Sequence, residues 1–168
     1  MDELRQWLLE AEDDVVQLSE IASSKDSEGL IEDVLALIQS DSETQNSSTW
    51  ILKFFVDSGA DLNSDQAMRL SNTLGKLTHW QSKVHILQLS AKSKTLTPEI
   101  IVDWAKGFTS SSNKFLTAWA IYISVLGLAK KDPKLSQDLL RKGLASESGS
   151  IRARAKKAAE QVSKMNTH

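Results

Sequence analysis

Asp103 and Trp104 stand side by side in the apolar run Ile101-Val102-Asp103-Trp104-Ala105, the one carboxylate and aromatic pair so flanked. A carboxylate and aromatic rings on a basic face are what a nucleobase-excising enzyme needs. Successive residues of a helix diverge by about 100°, however, so if Trp104 packs inward, Asp103 points away from it. The histidines His79 and His85 are six apart, about 240° around a helix, and cannot offer one metal ion two ligands from one face. The third, His168, stands at the far end of the chain. Carboxylate pairs such as Asp13/Asp14 and Glu32/Asp33 are adjacent on a helix surface, where neighbours do not face each other. The seven glycines are scattered singly, with no phosphate-cradling loop and no Gly-x-Ser-x-Gly elbow, and no cysteine is present to act as nucleophile, disulfide partner or zinc ligand. The expectation is a protein that is not an enzyme and has no cofactor and no metal.

Binding chemistry is better represented. Of the five tryptophans, Trp7, Trp50, Trp104 and Trp119 lie at helical spacing in apolar stripes and are expected in the core. Trp80 follows His79 and precedes Gln81, Ser82 and Lys83, so it has few apolar neighbours and reads as a partly exposed interface anchor. Near the C-terminus, Ile151, Ala155, Ala158 and Val162 form an apolar stripe, while Arg152, Arg154, Lys156 and Lys157 fan across the opposite arc. His79, Trp80, Lys83, Lys114, Arg152, Arg154 and Lys156 are the candidate partner-binding residues. A protein or peptide partner is favoured. Nucleic acid is the alternative, its phosphates held by Lys83, Lys114, Arg152, Arg154 and Lys156.

The elements that must position these residues are helices. Apolar residues recur at three and four throughout, as in Leu4, Trp7, Leu8, Ala11, Val15, Leu18 and Ile21. Four segments open with a capping residue followed by an acid or a proline: Ser27-Glu28, Ser64-Asp65, Thr97-Pro98 and Asp132-Pro133. Each is followed by a polar turn and a second helix, expected near Ser48, Ser82, Ser112 and Ser150. The fold expected is all-α, with about nine helices and no sheet. A helix-turn-helix unit recurring every 33 to 37 residues implies stacking, because one helix pair cannot bury its own apolar face.

The last unit, Asp132-Pro133-Lys134-Leu135 through Ser148-Gly149-Ser150-Ile151-Arg152-Ala153-Arg154-Ala155, resembles HEAT-type repeats of the HEAT/armadillo-like family. The length of 168 residues supports a single domain, 1–168, and the resemblance implies that it is a short right-handed α-solenoid. Residues 27–163 would form four helix pairs (about 27–58, 64–91, 97–130 and 132–163), with an N-terminal capping helix over 2–22. It implies a non-catalytic scaffold or adaptor that binds another protein through a curved surface. A DNA glycosylase-like repair protein is a remoter possibility on the same scaffold.

Charge and processing signals complete the reading. Residues 1–66 hold sixteen acids against three bases, and the remainder seventeen bases against six acids, so a net charge of -2 conceals halves of -13 and +11. Such asymmetry bears on association and solubility, and a monomer or a weak, charge-driven self-association is expected. The acidic start Met1-Asp2-Glu3-Leu4-Arg5 is unlike a secretory signal. The longest uncharged stretch, Phe115 to Ala129, falls short of the roughly 20 residues of a membrane helix. A cytoplasmic protein without membrane contact is the expectation.

Overall fold

The computed structural model describes residues 1–24 and 27–165. Among these residues there are ten α-helices, one 3₁₀ turn and no strand. His168, Lys25 and the capping side chain expected at Ser27 lie outside what is described. The chain divides into two compact units, 1–96 and 97–168.

The first unit contains α1 (Asp2–Ala11), α2 (Val15–Ser24), α3 (Ser27–Ser40), α4 (Gln45–Asp57), α5 (Ser64–Thr73), the 3₁₀ turn Leu74–Lys76 and α6 (Trp80–Ser90). The single helix expected over 2–22 is broken in two. Glu12 adopts a left-handed φ of 44°, and the Asp14 carboxylate accepts the N–H groups of Val16 and Gln17 at 2.9 and 3.2 Å. Three consecutive acids thus make a turn and a cap in place of a charged helix face, because aspartate competes for backbone donors more effectively outside a helix than within one. Leu4 and Leu8 of α1, Leu18 of α2, Leu30, Leu35 and Ile38 of α3, Ile51 and Leu52 of α4 and Ile86, Leu87 and Leu89 of α6 are fully buried.

Serines that read as helix starts are often something else. Asn63, not Ser64, caps α5: its side chain accepts from the Gln66 N–H while Gln66 accepts from the Asn63 N–H, a reciprocal capping box. α4 and α6 begin at Gln45 and Trp80, ahead of Ser48 and Ser82, both of which are fully buried inside their helices. Ser47 is buried too, and its hydroxyl serves the C-terminal carbonyls of α1, donating toward Leu8 and Glu12 at 3.1 and 3.0 Å. Ser48 and Ser82, by contrast, bury hydroxyls that have no hydrogen-bond partner, so it is their small volume that suits these positions.

The second unit contains α7 (Pro98–Lys106), α8 (Lys114–Leu128), α9 (Pro133–Leu144) and α10 (Gly149–Met165). Asp132 caps α9 as expected, accepting from the Leu135 N–H at 3.1 Å. Thr97 occupies the cap position of α7 without a side-chain capping bond, and α8 starts at Lys114 because Asn113 accepts from the N–H groups of Phe115 and Leu116. The core joins Ala118, Ile121 and Val125 of α8 to Ile151 and Ala158 of α10, with Leu139 and Leu140 of α9 against it. The apolar stripe read on the last helix is the face that packs. Gly59 follows α4 in the left-handed conformation, φ 97°, which glycine adopts without strain, whereas Gly107 after α7 is right-handed, φ -59°.

The four tryptophans expected in the core are half-buried instead. Three of them lie along their own helices against an aromatic neighbour: Trp50 stacks on Phe54 with centroids 5.4 Å apart, and Trp104 and Trp119 meet Phe108 and Tyr122 edge-on at 5.0 and 5.6 Å. Spacings of three and four bring such rings together, so each indole covers part of itself against a near neighbour in the chain.

Candidate functional site

Two helix faces of the second unit enclose a cleft of about 270 Å³. α8 supplies Phe115, Ala118 and Trp119, and α10 supplies Ser150, Ala153, Arg154 and Lys157. The spacing explains the convergence: 115, 118 and 119 share one face of α8, and 150, 153, 154 and 157 share one face of α10. Both helices begin beside the cleft, with Phe115 and Ser150 each second in its helix. Phe115 is 46% exposed although it stands in the first turn of the most apolar helix among the described residues. No carboxylate is among the lining residues.

Arg154 is the centre of this arrangement. Its guanidinium carbon lies 3.7 Å from the centroid of the Trp119 ring and 5.6 Å from that of Tyr122. Arg154 therefore does not fan out opposite the apolar stripe as the sequence suggested; it turns back over the indole, where attraction to the ring face offsets the cost of partial burial. Burial draws the guanidinium below its ordinary value, with Tyr122 opposing, and burial raises the Tyr122 phenol against the influence of Arg154. The cation is retained at any physiological pH.

The remaining basic candidates of this unit are not gathered around it. Arg152 is engaged with the loop ahead of α10, donating to the carbonyls of Ser146 and Glu147, both at 2.7 Å. Lys156 is exposed on α10, and Lys114 is exposed as the first residue of α8. Lys157, Ser150, Phe115 and Trp119 were not singled out as site residues from the sequence. The signal was present in the i, i+4 pairs 115/119 and 150/154, but nothing in one helix states which other helix face it meets.

In the first unit, His79, Trp80 and Lys83 come together around the first turn of α6. His79 is the residue ahead of the helix and is exposed, Trp80 is 42% exposed as expected of an anchor, and Lys83 is half-buried. His79 also lines a cleft of about 300 Å³ whose walls include Glu12, Asp13 and Glu43. The surroundings of His79 are thus acidic, unlike those of Arg154. His85 faces inward: its Nδ1 lies 3.1 Å from the Thr49 hydroxyl, and burial first, then the Lys53 ammonium, push its pKa down to about 4 against the Asn46 backbone hydrogen bond. It is a half-buried histidine whose surroundings disfavour its charged form.

The Asp103 and Trp104 pair diverges. Asp103 is exposed and ion-paired with Lys106 at 2.7 Å and with Lys131 at 3.9 Å, the Lys106 hydrogen bond holding its carboxyl below the usual range. No group of three or more His, Cys, Asp or Glu suited to a metal occurs among the described residues. No helix among them is long and apolar enough to cross a membrane. No family model, no curated protein and no solved structure matches the chain.

Proposed function

We propose that this chain is a non-catalytic interaction module, a set of helix pairs of the HEAT type that binds another protein. The observation that carries the reading is the α8/α10 cleft, an open recess beside a well-packed core, walled by the half-exposed Phe115 and by Trp119 under Arg154. Aromatic and arginine side chains around a recess are the composition of interface hot spots. Trp80, on α6, is a second large apolar side chain held at a surface.

The test is a photo-crosslinking residue at Phe115, introduced into the chain in its own cells. A discrete, nuclease-resistant protein adduct that excess unmodified protein competes away supports the reading. A nuclease-sensitive smear overturns it in favour of nucleic acid. That second reading rests on the twelve Lys and Arg against six Asp and Glu of residues 97–168, with Lys114, Arg152 and Lys156 exposed. It requires binding to a short duplex that weakens steeply with salt.

A further inference from the structure

Four of the five arginines have acceptors. Arg5 bonds Asp41 and Glu43, Arg69 bonds Glu32 and is ion-paired with Asp65, Arg141 bonds Asp138, and Arg152 bonds two loop carbonyls. Arg154 differs: among the described residues it meets the rings of Trp119 and Tyr122 and makes neither a hydrogen bond nor an ion pair. A guanidinium carries five N–H donors in a planar fork, and no Arg154 nitrogen is among the buried polar atoms without a partner, so those donors face water and are open to a ligand. A separation of 3.7 Å from the ring centroid fits face-on stacking, which fixes the plane of the group and leaves its N–H edges for something else.

We propose that the α8/α10 cleft reads a carboxylate in an acidic peptide: the N–H edge of Arg154 receives one Asp or Glu side chain in a two-point hydrogen bond, and a neighbouring apolar side chain rests on Phe115. This rests on the protein-binding reading above and names the chemistry of the partner. Paired N–H groups match the spacing of carboxylate oxygens, and stacking on Trp119 removes much of the rotamer freedom that binding would otherwise have to quench. Lys157 adds a second positive charge and Ser150 a hydroxyl on the same walls. The unit carries a net charge of +6 from its twelve bases and six acids, so an acidic partner is attracted before contact.

A peptide fits this cleft better than a polynucleotide does. Nucleic-acid affinity comes from a row of cations along a phosphate backbone, whereas two cations line this recess and the other walls are Phe115, Trp119, two alanines and Ser150. A volume of about 270 Å³ holds one or two side chains. The acidic residues 1–66 of a second copy are a particular acidic partner, and the test below separates that case.

The probe is an acetylated, amidated octapeptide alternating Leu or Phe with Asp or Glu, compared with its Asn/Gln counterpart, inorganic phosphate and a 12-base-pair duplex. Binding is read by fluorescence anisotropy and by the indole N–H resonance of Trp119. The acidic peptide should bind saturably and move that resonance, and the Asn/Gln peptide should bind at least tenfold more weakly. Arg154→Gln should lose tenfold or more; Arg154→Lys, which keeps the charge but not the fork, should lose most of that; and Arg152→Gln should lose nothing. Ser150→Glu places an acid four residues ahead of Arg154 on the same helix, a favourable orientation, so it should block the peptide while holding or raising the Tm. A variant that gains stability as it loses binding cannot be dismissed as misfolded.

Equal binding of the Asn/Gln peptide, an unmoved Trp119 resonance, or displacement of the peptide by phosphate or the duplex at lower concentration overturns the proposal. So does salt-sensitive dimerisation that Arg154→Gln abolishes while the peptide fails to bind, since the occupant is then a second copy. A flat peptide titration together with a protein adduct at Phe115 overturns the carboxylate assignment and leaves the interaction module standing. Peptide binding that passes every criterion without such an adduct supports the site chemistry and moves the failure to the broader reading.

Discussion

Gly127 of α8 faces the Pro98 carbonyl of α7 so closely that a Cβ on Gly127 would lie 2.6 Å from that oxygen and 2.8 Å from the Val102 Cβ. Two backbones approach here with no room for a methyl group. The prediction is that Gly127→Ala destabilises the protein although alanine is the better helix former by about 1 kcal/mol. Overpacking against backbone costs about 1–3 kcal/mol, and a carbonyl cannot swing aside as a side-chain tip does. Gly75→Ala is the control, since a Cβ there meets nothing within 4 Å. Denaturant unfolding should show a lower midpoint for the first variant and an unchanged or higher one for the second.

His85 makes the stability depend on pH in a window of its own. Its folded pKa of about 4 lies below the ordinary histidine value of 6.5, so between these values the unfolded chain binds the extra proton. The contribution is complete above about pH 6.5, is lost as pH falls toward 4, and amounts to about 3 kcal/mol at most. Asp57 and Asp61, whose pKa values are lowered from 3.8 by hydrogen bonds that outweigh burial together with, for Asp57, the charges of Lys53 and Lys92, act in the same direction but below about pH 4. His85→Gln should flatten the Tm profile between pH 6.5 and 4.5 and leave the acid limb in place. A variant profile as steep as the parent's in that window assigns the loss to other groups.

The turn between α1 and α2 predicts a local effect. Asp14 accepts from the N–H groups of Val16 and Gln17, and losing such a cap costs about 1 kcal/mol. Asp14→Ala should therefore raise hydrogen exchange in the first turn of α2, and Asp14→Asn should restore most of the protection. Equal exchange in both variants would mean that the cap does not hold the turn.

Much of the helical layout is legible in the periodicity of the apolar residues. Leu4 and Leu8, Leu30 and Val34, and Ile151, Ala155 and Ala158 are buried where the three-four spacing puts them. What periodicity misreads is residue type with two uses. Serine is both a cap and a small residue, so Ser48 and Ser82, buried within helices, mimicked helix starts. Tryptophan is both a core residue and a ring that lies along its own helix, so Trp50, Trp104 and Trp119 belong to aromatic pairs with Phe54, Phe108 and Tyr122. Glu12-Asp13-Asp14 could be read as a solvated face or as a turn, and only the cap at Asp14 distinguishes them. The cleft was less legible than the helices, because it depends on which face of α10 meets which face of α8. Arg154 sits one helical turn from Ser150 in the sequence, but its position over Trp119 is a fact of packing.

That packing carries the last prediction. If the stacking of Arg154 on Trp119 at 3.7 Å is energetically real, the two side chains must be coupled in a double-mutant cycle. Half-buried pairs of this kind contribute about 0.5–2 kcal/mol, and contact pairs show coupling in that range. Arg154→Gln and Trp119→Leu should each destabilise, and the double variant should cost less than the two together by about 1 kcal/mol. Arg152→Gln, combined with Trp119→Leu in the same way, should be additive within about 0.5 kcal/mol, because Arg152 spends its donors on the carbonyls of Ser146 and Glu147. Raising the salt concentration should leave the first coupling largely intact, since a ring quadrupole is not screened as an exposed ion pair is. Additivity in the Arg154 cycle would show that the guanidinium does not rest on the indole in solution, and the preorganised fork on which carboxylate recognition depends would be lost with it.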